Sequence, residues 1–153
     1  MTLSPLAIPA LAGTGLCALW LDAKFRRLPN VLSASVAGLG LAATAGHSGW
    51  ASAGNGALHA LIALVIGLTL YSRGMIGGGD VKYYAGVAAW FPLATGFRLL
   101  GFVALAGLGL VACWYVWRAP RSDPTTLDPE SDHGKLPFGI AIAAGAVLTA
   151  IAP

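Results

Sequence analysis

Long apolar runs, separated by short polar clusters, dominate the chain. Six stand out: Leu3–Leu21, Val31–Gly46, Ala57–Tyr71, Val81–Ala94, Leu99–Trp117 and Leu136–Ala152. Most approach the roughly 17–25 residues that an α-helix needs to cross a bilayer. The run Val81–Ala94 is short and its ends are poorly marked. None shows the strict alternation of a membrane β-barrel strand. The pattern predicts an all-α membrane protein, a bundle of about six transmembrane helices. Its 21 glycines suit such a bundle, because small residues let membrane helices approach closely. Stretches such as Gly101–Gly109 read as packing faces.

Composition sharpens this picture. The chain is 57% hydrophobic and 10% charged, with mean hydropathy +0.75. A soluble domain carries about 25% charged residues, so this chain could not cover its own surface in water. Its 153 residues suit a single transmembrane domain over 1–153. Cys17 and Cys113 lie inside apolar runs, with neither metal-type spacing nor a disulfide framework. The N-terminal run lacks a basic leader and a cleavage signature, so it reads as a retained first helix and not a signal peptide.

Lys and Arg positions predict the topology. Lys24, Arg26 and Arg27 follow the first run. Arg73 and Lys82 follow the third, and Arg118, Arg121 and Lys135 follow the fifth. Of the 9 basic residues, only Arg98 falls on the other side. The positive-inside rule then places these three loops in the cytoplasm and both termini in the periplasm. The polar stretch 118–135, rich in Pro, Asp, Ser and Thr, reads as a flexible cytoplasmic loop. Its acids Asp123, Asp128, Glu130 and Asp132 read as solvated charges, since the spacing and glycine of a calcium loop are absent.

Against this background two carboxylates carry the candidate chemistry. Asp22 and Asp80 are the only acidic residues before position 123, and the topology puts both at the cytoplasmic face. An acid at membrane depth costs roughly 2.5–3.5 kcal/mol on insertion, which marks it as functional by default. Two carboxylates in contact share a proton, and their pKa values separate. The ionised one can activate a water while the protonated one polarises a carbonyl. Gly77, Gly78 and Gly79 precede Asp80; lacking Cβ atoms, they allow unusual backbone angles and close approach of a second chain. The bland alternative is a simple helix break. Pro29 suits a first helical turn, and Asn30 can shape or cap it. Arg26 and Arg27 read as topology anchors, with lipid headgroups or acidic substrate as further contacts. Lys82 could lower the pKa of Asp80 or simply anchor a helix end.

These motifs resemble those of the prepilin peptidases, the type IV leader peptidase family of aspartic peptidases. The resemblance is closest to the short TadV/CpaA-like forms associated with tight-adherence (Flp) pili. The first match is Asp22, Arg27, Leu28, Pro29 and Asn30, and the second is Gly77, Gly79 and Asp80 with Val81 and Lys82. A softer third is Lys135-Leu136-Pro137-Phe138-Gly139-Ile140-Ala141, where the family often has Tyr for Phe138. A G-x-G-D element alone is weak, since presenilin-like proteases share it; the paired motifs are specific. The resemblance implies catalytic roles for Asp22 and Asp80. It also implies cleavage of the positively charged leader of prepilins or pseudopilins at the cytoplasmic face of the bacterial inner membrane. Substrate contacts are expected from Gly77, Gly78, Gly79, Lys82, Arg27, Pro29 and Asn30. Long relatives add a domain with paired Cys-x-x-Cys motifs and methylate the new N-terminus. This chain has neither the length nor those cysteines, so cleavage is expected without a zinc domain, a metal or a cofactor.

Other residues suggest less. His47 and His59 flank the outer connection between the second and third runs; a metal pair would need a third ligand, so interfacial or packing roles are favoured. The five tryptophans lie mostly near run boundaries, as an aromatic belt would. The basic loops are too short to indicate nucleic acid. The bilayer and a prepilin are the expected partners; the sequence does not specify an oligomeric state. Two other readings use the same acids: a small proton-coupled transporter or channel subunit, and a presenilin-like intramembrane protease. The first is disfavoured because no repeat is seen and both acids share one face.

Overall fold

Each apolar run becomes a helix in the computed structural model, which describes residues 7–25, 29–118 and 138–152. The order is α1 (Ala7–Phe25), α2 (Asn30–Ser48), α3 (Trp50–Ser72), α4 (Gly78–Ala88), α5 (Gly96–Arg118) and α6 (Phe138–Ile151), with a 3₁₀ turn at Leu93–Thr95 before α5. There is no strand among the described residues. Trp50–Ser72 and Leu93–Val116 are long and apolar enough to cross a membrane, with hydropathies of 1.7 and 2.2. Only 17% of either window is buried. Their apolar side chains therefore face outward, as Val65, Phe97, Leu105 and Leu108 do. That is the reverse of a core helix in a water-soluble domain. The polar stretch expected at 118–135 lies, after Arg118, outside the described residues.

The fourth run behaves differently from the expectation. It yields a helix of 11 residues, about 16 Å long at 1.5 Å per residue, roughly half the thickness of a bilayer core. Pro92 explains why the run breaks: it has no N–H to donate to Ala88, and it pushes the preceding residue out of helical geometry. The chain turns through residues 89–92, with Trp90 N–H bonded to the Val87 carbonyl and Phe91 N–H to the Ala88 carbonyl, both at 3.1 Å.

This shortest helix is also the centre of the bundle. It packs against α2, α3 and α6, while α1 lies on α6 and α2, and α5 lies on α6. Every residue from Ala85 to Phe91 is buried, and Trp90 and Tyr83 are the largest fully buried side chains. A helix end among apolar side chains leaves backbone groups that need partners. Neighbouring helices supply several of the polar contacts around the turn. Asn55 Oδ1 accepts from Leu93 N–H at 2.8 Å, and His59 Nδ1 lies 3.0 Å from the Phe91 carbonyl. The Trp90 indole donates to the Val36 carbonyl at 2.9 Å. Arg98, the basic exception in the charge pattern, donates to the Thr149 carbonyl near the end of α6 at 3.3 Å. Cations suit helix C-termini, where carbonyls lack intrahelical partners.

Glycines make the approaches close. A Cβ on Gly40 would sit 2.5 Å from the Trp90 ring, and one on Gly86 would sit 2.6 Å from the Ser33 carbonyl oxygen. The latter obstacle is backbone and cannot rotate away. Overpacking of this kind costs about 1–3 kcal/mol. Gly86→Ala is therefore expected to lower the unfolding midpoint in detergent by about 5 °C. Gly109→Ala meets nothing within 4 Å, so it should leave the midpoint unchanged or slightly raised. Equal midpoints for the two variants would refute this account of the α2–α4 contact.

Candidate active site

The site is built where α3 ends and α4 begins. Helix α3 closes with a glycine-terminated turn. Gly74 N–H bonds to the Tyr71 carbonyl at 2.9 Å and Met75 N–H to the Leu70 carbonyl at 3.1 Å. Gly74 has φ +72°, the left-handed conformation that this helix stop requires. The chain then re-enters a helix at Gly78, with Gly77 as the residue just before it. Asp80 is the acidic residue of the first turn of α4. A carboxylate is favoured there, because the unpaired N–H groups of a helix start carry partial positive charge.

Gly77 has φ −69° and ψ 137°, which any residue can adopt. The expectation of unusual backbone angles thus fails at Gly77; its glycine answers to space instead. A Cβ at Gly77 would lie 2.8 Å from Asp80 Oδ2, so the carboxylate leans back over this residue. A Cβ at Gly78 would lie 3.1 Å from the Tyr71 ring. The glycines let the acid and the ring sit directly against the main chain.

The first motif arrives from the other side of α4. Pro29 precedes α2 as its cap residue, at φ −67° and ψ 145°, and its carbonyl accepts from Leu32 N–H at 3.0 Å. Asn30 does not cap the helix through its side chain. Its Oδ1 accepts from Lys82 Nζ at 2.9 Å instead. Two residues 52 positions apart therefore tie the start of α2 to the start of α4. Lys82, expected near the acid or as an anchor, is thereby directed at α2. Asp22 lies in the last turn of α1; its side chain and the whole of Arg27 lie outside the described residues. So do residues 135–137 of the third motif, whose remainder opens α6.

Asp80 also borders a groove of about 370 Å³. Its walls are α3 and α5, and its floor is Val81 and Tyr84 of α4 with Ile142 of α6. The groove is apolar apart from Asp80 at one end, His59 at the other and the Tyr84 side chain between. His59 was expected beside an outer connection. It lies inside α3, buried to 4% exposure. That connection shrinks to Gly49, whose φ of +83° lets α2 and α3 meet with one residue between them. His59 thus takes a packing role, as expected, while sequence reasoning missed Asn55 as a support of the α4 exit; the available signal was a polar pair four residues apart on an otherwise apolar face. Among the described residues no cluster of His, Cys, Asp and Glu could hold a metal.

Two outcomes are expected from this geometry. Gly77→Ala should push the Asp80 carboxylate aside and lower the peptidase activity that the resemblance implies for it about 10-fold or more, since small misplacements of such a group are costly. The unfolding midpoint should hold; a fully active variant would sink the steric reading. Lys82→Ala and Asn30→Ala remove the same contact, so the double variant should lose no more activity than the worse single one. Additive losses would separate the two residues.

The profile of the type IV leader peptidase family matches residues 10–116. No curated protein and no solved structure matches the chain. The matched span includes Asp22, Pro29, Asn30 and the Gly77–Lys82 segment, and covering more than half of the sequence it identifies the chain as a member of the type IV leader peptidase family.

Proposed function

We propose that this peptidase is a membrane-embedded aspartic endopeptidase that removes the leader of Flp/Tad-type prepilins, with Asp22 and Asp80 as its catalytic pair. The observation that carries the reading is the tie between the two motifs, Lys82 Nζ to Asn30 Oδ1 at 2.9 Å. It holds the start of α2 beside the first turns of α4, the helix that carries Asp80. In this reading one carboxylate is ionised and takes a proton from water. The resulting hydroxide attacks the scissile carbonyl, which the protonated partner polarises. The tetrahedral intermediate collapses as a carboxyl group donates a proton to the leaving amine. No covalent enzyme intermediate forms. Gly77 and Gly78 let the Asp80 carboxylate and the Tyr71 ring sit against the main chain; substrate contact is assigned to the Gly77–Gly79 segment with Arg27, Pro29, Asn30 and Lys82.

The proposed setting is a single domain of six helices in the bacterial inner membrane, with both termini periplasmic and the two aspartates at the cytoplasmic face. The Lys and Arg distribution supports that orientation. The outward-facing apolar side chains of α3 and α5 support contact with lipid. At 11 residues α4 is too short to span alone; the turn, buried through Phe91, and the partly exposed 3₁₀ segment complete that crossing. Non-helical backbone at membrane depth is tolerated where protein surrounds it, as it does at residues 89–91.

Asp22→Asn and Asp80→Asn are each expected to insert and fold with an unchanged unfolding midpoint. Each should cut a co-expressed Flp-type prepilin at least about 100-fold more slowly, the scale of a lost acid–base group. Mass spectrometry of the prepilin reads the outcome. Near wild-type cleavage by either variant would remove that aspartate from the mechanism.

A further inference from the structure

We infer that Tyr84 is a third catalytic group of the site: its phenol hydroxyl donates a hydrogen bond to the scissile carbonyl oxygen as negative charge develops there. The inference rests on the peptidase reading and adds a donor to that reaction. Tyr84 stands four residues after Asp80 in α4, and both side chains line the same cavity. Residues four apart are neighbours on a helix surface, with about 5–6 Å between their Cβ atoms. Long side chains on a helix lean toward its N-terminus, over the preceding turn. The Tyr84 ring is thereby carried toward Asp80. It is half-buried and packs against the apolar core, which holds the ring in place. No hydrogen bond engages its hydroxyl among the described residues. The neighbouring tyrosines are placed differently. Tyr83 is fully buried and lies off the cavity lining. Tyr71 is exposed, with its ring against Gly78.

Chemistry selects the role. A hydroxyl beside Asp80 could act as a base, an acid or a hydrogen-bond donor. A phenol has an ordinary pKa of about 10, so at neutral pH it is protonated and is no base. The carboxyl pair already supplies the proton for the leaving amine. Donation remains. When the activated water adds to the carbonyl carbon, the π pair of the C=O bond moves onto the oxygen. The Tyr84 O–H, beside the protonated carboxyl, stabilises that oxygen and keeps its own proton. As the C–N bond breaks, the pair returns to the C=O bond and the amine takes its proton from a carboxyl group. A fixed donor is worth most where water is scarce, because charge is weakly screened there. Around Tyr84 the lining residues are apolar, among them Ala63, Gly67, Val81 and Ile142.

The test uses the full chain in lipid nanodiscs and a synthetic prepilin-like peptide with a basic leader, a cleavable junction and an apolar segment. Tyr84→Phe removes one oxygen and leaves the ring. It should lower kcat at least about 10-fold, less than the loss of a lone donor because the protonated carboxyl still serves the same oxygen. KM should stay within about twofold, since the contact forms in the transition state. Tyr83→Phe removes the same atom from a ring off the cavity and should leave kcat unchanged. Both variants should keep the wild-type unfolding midpoint. A second peptide carries a thiocarbonyl at the scissile position, a weaker hydrogen-bond acceptor. The wild type should lose rate on it, and Tyr84→Phe should lose at least about threefold less, because both changes remove one interaction. Wild-type kcat for Tyr84→Phe, an equal loss in Tyr83→Phe, a change in KM alone, or additive losses on the thiocarbonyl peptide would each overturn the assignment. Failure of the catalytic reading is distinguishable: Asp80→Asn would then cut at the wild-type rate, whatever Tyr84→Phe does.

Discussion

The structure depends on a helix that stops early. Helix α4 ends at Ala88 among apolar side chains, and a helix end in such surroundings must find partners for its backbone. The surrounding helices supply them. Asn55 and His59 of α3 serve Leu93 and Phe91, and the Trp90 indole reaches back to Val36 of α2. An unmet backbone group in such a place costs about 1–3 kcal/mol, so these contacts fix the depth at which α4 stops. They therefore also fix where α4 begins, at Gly78, and hence where Asp80 stands.

Small residues translate that constraint into close packing. Gly40 admits the Trp90 ring and Gly86 admits the Ser33 carbonyl, so α2 and α4 meet along their backbones. The start of α4 is held by Lys82 and Asn30, the exit by Trp90 and Val36. Two hydrogen bonds at opposite ends of one short helix lock it against α2. The same helix forms the floor of the groove between α3 and α5. The placement of Asp80 and the shape of the groove thus share one support.

Much of the fold was legible in the sequence. Six apolar runs gave six helices because apolar length and absent alternation are one-dimensional properties. Errors arose where a backbone partner decided the outcome. The run Val81–Ala94 looked like a single short span, yet Pro92 and its neighbours break it into a helix, a turn and a 3₁₀ segment. Helix α3 begins at Trp50, seven residues before the apolar run suggested; the exposed Asn55 in that extra stretch bonds Leu93 N–H at the α4 exit. Lys82 offers the same lesson at the site. Its neighbour in sequence is Asp80, yet the partner that the structure gives it is Asn30.

The sequence by itself determined the class of protein, the helix count and the family. Apolar run lengths, the one-sided placement of Lys and Arg, and two short motifs are all readable along a line. Only the tertiary structure decided that α4 is a half-length central helix and that Gly77 serves space and not backbone angle. It alone brought the Asn30 motif to the Lys82 motif and opened an apolar groove onto Asp80. Each of these depends on groups far apart in the chain, and a buried polar group or an added Cβ acquires its energy only from what packs against it.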